Sequence, residues 1–202
     1  PREQMDRLAD HLGGPRLFVK RDDCTGLATG GNKTRKLEFL MADALAQGAD
    51  TVVTVGGVQS NHCRQTAAAA AKLGLRCELV LPHISLFDSS TYDTSGNVML
   101  DRLFGAKLHV LHERTTDRSV ATTRIEEVLA EIRTRGGKPY FIPAGGSTAI
   151  GALGYVDAAF ELARQARQRA VRFDYVVVTT GSCTTHTGLL VGFEALRRAG
   201  DR

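Results

Sequence analysis

Four stretches of this sequence carry residue types that could do chemistry, and each contains glycine. The first, Gly30-Gly31-Asn32-Lys33, closes a glycine-rich loop at a predicted helix start. A lysine in a first helical turn faces the positive end of the helix dipole, which disfavours its charged form. Such an amine can act as a nucleophile and form a Schiff base. A surface lysine after a flexible loop is the plainer alternative. The second, Gly56-Gly57-Val58-Gln59-Ser60-Asn61-His62, follows a β-branched run. Free N–H groups at a helix start could bind a carboxylate, with Ser60 and Asn61 as side-chain partners. Ser60 could equally be only a helix cap, and His62 a local hydrogen-bonding group rather than a base. The third, Ala144-Gly145-Gly146-Ser147-Thr148, fits an ordinary glycine turn as well as a binding loop. The fourth, Thr179 to Gly188, is rich in hydroxyls and free of acids. N–H groups and hydroxyls converging there suit a phosphate. It is neither a P-loop nor the GxGxxG dinucleotide fingerprint.

A nucleophilic lysine, a carboxylate cradle and a phosphate cradle on one rim form the set that pyridoxal phosphate needs. They share a rim only if the elements between them are arranged for it. The pattern predicts strands at Leu17–Lys20, Thr51–Val55, Arg76–Leu81, Lys107–Leu111, Pro139–Ile142 and Tyr175–Thr179. Helices are predicted over Asn32–Gln47, Ser60–Leu73, Asn97–Phe104, 117–135, Leu153–Gln168 and Thr184–Arg198. This alternation predicts an α/β fold, with parallel strands flanked by helices on both faces. Ligands in such folds sit beyond the carboxyl ends of the strands, where all four stretches fall. The least regular segment, 83–96, is the best candidate for a mobile segment or a domain junction.

Composition excludes other classes. At 202 residues, one large domain or two small ones fit. With 43% hydrophobic and 24% charged residues, wholesale disorder is excluded. No apolar run reaches spanning length, so no membrane helix is expected. The net charge is only +4, without a basic block or any tryptophan, so no nucleic-acid surface is expected. The four cysteines form no CxxC pair and no zinc-ligand spacing, so no metal site is expected. Reduced thiols in a cytoplasmic protein are the simplest reading.

The stretches Val19 to Leu40, Gln59 to Thr66 and Ile142 to Tyr155 closely resemble one group of enzymes. It comprises D-cysteine desulfhydrase, L-cysteate sulfo-lyase and 1-aminocyclopropane-1-carboxylate deaminase. These are tryptophan synthase β-like, fold type II pyridoxal phosphate enzymes. The resemblance covers essentially the whole chain and implies a two-domain fold. Residues 1–55 plus 145–202 would form part of a larger cofactor domain, and 56–144 a smaller α/β domain. Lys33 would carry the cofactor as a Schiff base, and Asn61 would bond its ring oxygen. Lys36 and the loop Gly181, Ser182, Cys183, Thr184, Thr185 would hold the phosphate. Ser60, Asn61 and His62 would meet the substrate, with Ser60 also placed for proton transfer.

The implied reaction is β-elimination from a small amino acid by a homodimer. The Ser-Asn-His run ranks D-cysteine first, then L-cysteate, then the cyclopropane amino acid. A ligand-binding fragment with impaired catalysis is the non-enzymatic alternative. The chain departs from the family at Cys183 and Thr184, where small residues, often a glycine, are usual, and at Thr187. Family members also run on for roughly another 120 residues, about one further domain. The resemblance therefore implies a chain that lacks the family's C-terminal part.

Overall fold

The computed structural model describes residues 2–83, 91–111 and 117–200. Strand β1 (Arg2–Gln4) leads through a short helix, α1 (Asp6–Leu12), to β2 (Phe18–Lys20), which pairs with it antiparallel. Helix α2 (Lys33–Ala46) then enters a regular alternation. It continues with β3 (Thr51–Val55), α3 (Asn61–Leu73), β4 (Arg76–Pro82) and α4 (Gly96–Leu103). Next come β5 (Lys107–Leu111), α5 (Arg118–Thr134) and β6 (Pro139–Ile142). A single 3-10 turn, Ala144–Gly146, precedes α6 (Ala149–Gln168), and α7 (Thr184–Arg198) follows. Strands β3 to β6 form one parallel sheet in the order β5-β4-β3-β6.

Alternation along the strands builds two cores. Val52, Leu79, Leu81 and Ile142 face one side, where they meet Leu37, Leu40 and Met41 of α2, Cys63 and Ala67 of α3, and Val98 of α4. Val53 and Val80 face the other side, against Val128 and Ile132 of α5. Each valine so buried contributes about 1.5–3 kcal/mol. Local signals fix the helix ends. The Ser60 hydroxyl accepts from Cys63 N–H, the Asp117 carboxylate from Ser119 N–H and the Thr148 hydroxyl from Gly151 N–H.

Glycine lets three helices approach at backbone distance. A Cβ on Gly154 of α6 would lie 2.0 Å from the Arg35 carbonyl oxygen of α2. On α7, a Cβ at Gly188 would lie 2.5 Å from the Ala152 oxygen, and one at Gly192 would lie 2.5 Å from Ala159 Cβ. Both numbers rise together along these pairs, so α6 and α7 run parallel with their N-termini at one end.

Two expectations need correction. Phe18–Lys20 does not join the parallel sheet; its three residues are too few to carry a pattern and pair with β1 instead. Tyr175–Thr179 forms no strand, because no strand among the described residues lies alongside to complete its ladder. Strand β3 is central in its sheet, bonded to β4 on one side and β6 on the other. Within the segment expected to be irregular, 84–90 lies outside the described residues. Among the described residues, no helix is long and apolar enough to cross a membrane.

Candidate active site

Lys33 is the first residue of α2, and its amine meets Asn32 Oδ1 at 3.3 Å. Burial lowers the pKa of this half-buried amine. One turn on, Lys36 is 1% exposed and donates to the Gly145 carbonyl at 3.3 Å. Burial first, then the charge of Lys33, brings its pKa down to about 8. The turn after β6 accommodates both lysines. A Cβ on Gly145 would lie 3.4 Å from Lys33 Cε, and one on Gly146 would lie 3.5 Å from Lys36 Cβ. Two ammonium groups thus converge on one glycine turn, and no carboxylate among the described residues pairs with either. Such an arrangement favours an anion from outside.

The lysine helix is held from behind. Arg35 pairs with Asp22 and Glu161, and Lys20 also donates to Glu161. Burial pushes the Glu161 carboxyl up, but the bonds from Lys20 and Arg35 outweigh it and hold the pKa at about 2. Tyr155 donates its hydroxyl proton to Asp22 at 2.9 Å and lies 3.3 Å from the Asn32 carbonyl. Gly30, at φ +81, closes the loop so tightly that a Cβ there would lie 1.7 Å from the Asp23 oxygen.

Ser60 caps α3 and Asn61 opens it, exposed. Ser60 Oγ accepts from Cys63 N–H at 3.3 Å, so its own proton stays free to donate. The first N–H groups of α3 have no intrahelical acceptor. A Cβ on Gly56 would lie 2.5 Å from Ser60 Oγ, so any side chain there would displace the Ser60 hydroxyl.

The His62 ring does not join Ser60 and Asn61. It is 3% exposed and turned into the sheet, with Nε2 2.9 Å from Thr54 Oγ1. Thr54 spends its proton on the Ile142 carbonyl, so His62 must donate Nε2–H and keep Nδ1 bare. Burial, then the charges of Lys33 and Lys36, lowers its pKa to about 3 and keeps the ring neutral.

The residues 181–185 lead into α7. Gly181, Ser182 and Cys183 are exposed, while Thr184 and Thr185 are partly buried. The Ser182 and Thr184 hydroxyls lie 3.5 Å apart. Cys183 sits at φ +62, ψ −17, a left-handed backbone that favours glycine. The parallel packing of α6 and α7 puts this loop at the end of the helix pair where Gly145 and Gly146 meet the lysines.

Three positioning side chains escaped sequence reasoning. Gln59 donates to the Tyr92 and Ser95 carbonyls and accepts from Asn97 N–H. Arg64 reaches Asn97 Oδ1 at 2.9 Å and the Gly30 carbonyl at 2.5 Å. Gln65 bonds Thr34. The signal available was their crowding into one short polar run, Gln59 to Gln65, beside the glycine loop. Among the described residues, no group of His, Cys, Asp and Glu could hold a metal ion.

The family model for pyridoxal-phosphate dependent enzymes matches residues 1–201. This chain belongs to the pyridoxal-phosphate dependent enzyme family. The family's cofactor is pyridoxal phosphate, and the residues fit it. Lys33 offers an amine of depressed pKa, Lys36 a buried cation without a counter-charge, and Gly145 the space beside them.

Two relatives narrow the kinship. The chain is 49% identical over 199 residues to D-cysteine desulfhydrase of Serratia proteamaculans (strain 568), spanning 97% of this chain and 58% of that protein. It is 48% identical over 200 residues to 1-aminocyclopropane-1-carboxylate deaminase of Methylobacterium sp. (strain 4-46), spanning 96% and 58%. The chain thus spans 58% of the length of these relatives. The crystal structure of an ACC deaminase homologue superposes with a TM-score of 0.85 at 42% identity, over 98% of this chain and 57% of that one. The crystal structure of a T.th. threonine deaminase, at 22% identity and a TM-score of 0.71 over 97% and 55%, shares the fold.

Proposed function

We propose that this chain carries the lysine face of a β-eliminating lyase acting on a small amino acid. The observation that carries the reading is a half-buried and a buried lysine on one glycine turn, without a counter-charge. Pyridoxal phosphate, when bound, supplies the ring that takes up the charge left at the substrate's α-carbon. Lys33 anchors it and then, as a neutral amine, accepts the α-proton. Lys36 keeps a positive charge below about pH 8 and faces the phosphate together with the hydroxyls and N–H groups of Gly181, Ser182, Cys183, Thr184 and Thr185. The N–H groups of α3, with Ser60 and Asn61, receive the substrate carboxylate, and the free Ser60 proton serves proton transfer. His62 contributes there only through its backbone N–H.

D-cysteine is the preferred substrate in this proposal, giving pyruvate, sulfide and ammonia with uptake of water. L-cysteate ranks next and the cyclopropane amino acid third. A homodimer is proposed on the resemblance alone. A cytoplasmic location rests on it too, with four free thiols in agreement. The two-domain division is part of the same reading, with β3 moved into the smaller unit.

The test is borohydride reduction of the purified protein after incubation with pyridoxal phosphate. A reduced adduct mapped to the Lys33 peptide and absent from Lys33→Ala supports the reading; an adduct-free wild type sinks it. Release of 2-oxo acid, measured side by side from the three substrates, then sets their order. The left-handed Cys183 favours a second reading, ligand binding without turnover. A labelled but inactive protein would select that one.

A further inference from the structure

Helix α2 is capped in an unusual way. Its N-cap residue, Asn32, has helical torsions and makes no side-chain cap bond. The acceptor comes instead from another helix. Gln65, on the second turn of α3, is 0% exposed. Its Oε1 accepts from Thr34 N–H at 2.9 Å and from the Thr34 hydroxyl at 3.0 Å. Thr34 N–H also reaches the Gly31 carbonyl, at a longer 3.3 Å. At the other end of the amide, Nε2 donates to the Asn61 carbonyl at 2.9 Å. One buried amide thus joins the residue after Lys33 to the first residue of α3.

The fit leaves no freedom. Gly31, at φ +140, lies flat against this amide, and a Cβ there would sit 2.4 Å from Nε2 and 2.8 Å from Oε1. A buried polar group is costly unless its bonds are made; here the two to Thr34 cross from α3 to α2, and the one to Asn61 fixes the amide within α3. An apolar residue of equal volume would fill the space equally well. The amide therefore contributes orientation rather than bulk.

We infer that Gln65 is a positioning residue for the lysine site, holding the first turns of α2 and α3 in register so that Lys33 keeps a fixed place relative to Ser60 and Asn61. The link between two helix starts stands on the geometry alone; that those starts serve one cofactor rests on the proposed function. Gln65→Met keeps the volume and removes all three bonds. Gln65→Glu keeps an acceptor for Thr34 and, while ionised, removes the donor to Asn61.

The test uses the purified protein with and without pyridoxal phosphate. Without cofactor, amide exchange at Thr34 is expected to speed up about tenfold in Gln65→Met and to return towards wild type in Gln65→Glu. The pH midpoint for acylation of the Lys33 amine should rise in Gln65→Met, towards that of an exposed lysine, because a misplaced amine regains water. With cofactor, both variants should need about tenfold more pyridoxal phosphate for half-saturation. A lower melting temperature with unchanged Lys33 midpoint and cofactor affinity would make Gln65 merely structural and overturn the inference. So would wild-type values throughout. If wild type forms no Lys33 adduct, the proposed function falls, while the Thr34 exchange and the Lys33 midpoint still decide the role of Gln65.

Discussion

Thr51–Val55 and Tyr175–Thr179 are close in composition: Thr-Val-Val-Thr-Val against Tyr-Val-Val-Val-Thr. Their surroundings are opposite. In β3, Val52 and Val53 are 0% exposed, with β4 and β6 bonded on either side. In the later stretch Tyr175 is 88% and Val177 97% exposed, and no ladder forms. The same side chains read as a strand in both places. What separates them is a partner, since a backbone leaves water for a ladder only when another strand meets its N–H and C=O groups. β-propensity describes fitness for a pleated surface and does not create one.

The sharpest way to break this comparison is to put a charge in each place. Val53→Asp buries a carboxylate between β3 and α5 and should cost more than about 4 kcal/mol, enough to unfold a marginal domain. Val177→Asp should change the stability of this chain by no more than about 0.5 kcal/mol. Urea titrations of the two variants measure both; equal losses would mean that 175–179 is packed after all.

A second test probes how closed the packed side is. Asp101 of α4 is 0% exposed, and neither carboxylate oxygen has a hydrogen-bond partner. Burial raises its pKa to about 7, against the opposing pull of Arg64. The folded state then holds its proton more tightly than the unfolded state. Stability should therefore fall as pH rises from about 4 to about 7 and stay reduced above that. Asp101→Asn should remove the fall and gain about 1–3 kcal/mol at pH 8, with little gain at pH 4. Thermal melts at the two pH values check it, and a gain independent of pH would contradict the sign.

A modest gain belongs to the open side. Cys183→Gly should relieve the left-handed backbone there and stabilise by about 1 kcal/mol. A loss of stability on making that change would show that the thiol, exposed as it is, holds the turn.

These contrasts explain what could be read in advance. Where local signals agree with tertiary ones, the sequence suffices: Ser60 and Gly74 bracket α3, and Gly48 follows α2, both within a residue of expectation. Helix α6 starts four residues before its predicted Leu153, because Thr148 caps it and Gly151 is inside it, and a glycine reads as a break. Helix α1 was missed because it is only seven residues long, too short for Leu8 and Leu12 to establish a helical period. The placement of Lys33 at the start of α2 and of Ser60 and Asn61 at the start of α3 was legible, because glycine-rich loops mark helix starts. Gln65 was not, since a polar residue on a helix resembles a solvated face until the second helix is in view. His62 was placed with its neighbours by adjacency, whereas a helix turns successive side chains about 100° apart.

The glycine contacts among α2, α6 and α7 have a mechanical meaning. Ordinary helix pairs slide by small steps because side chains between them change rotamer as they go. At Gly154, Gly188 and Gly192 there is no side chain to yield, and backbone rests on backbone or on a Cβ. The contact behaves as a weld rather than a bearing. The three helices therefore hold the lysine turn as one body.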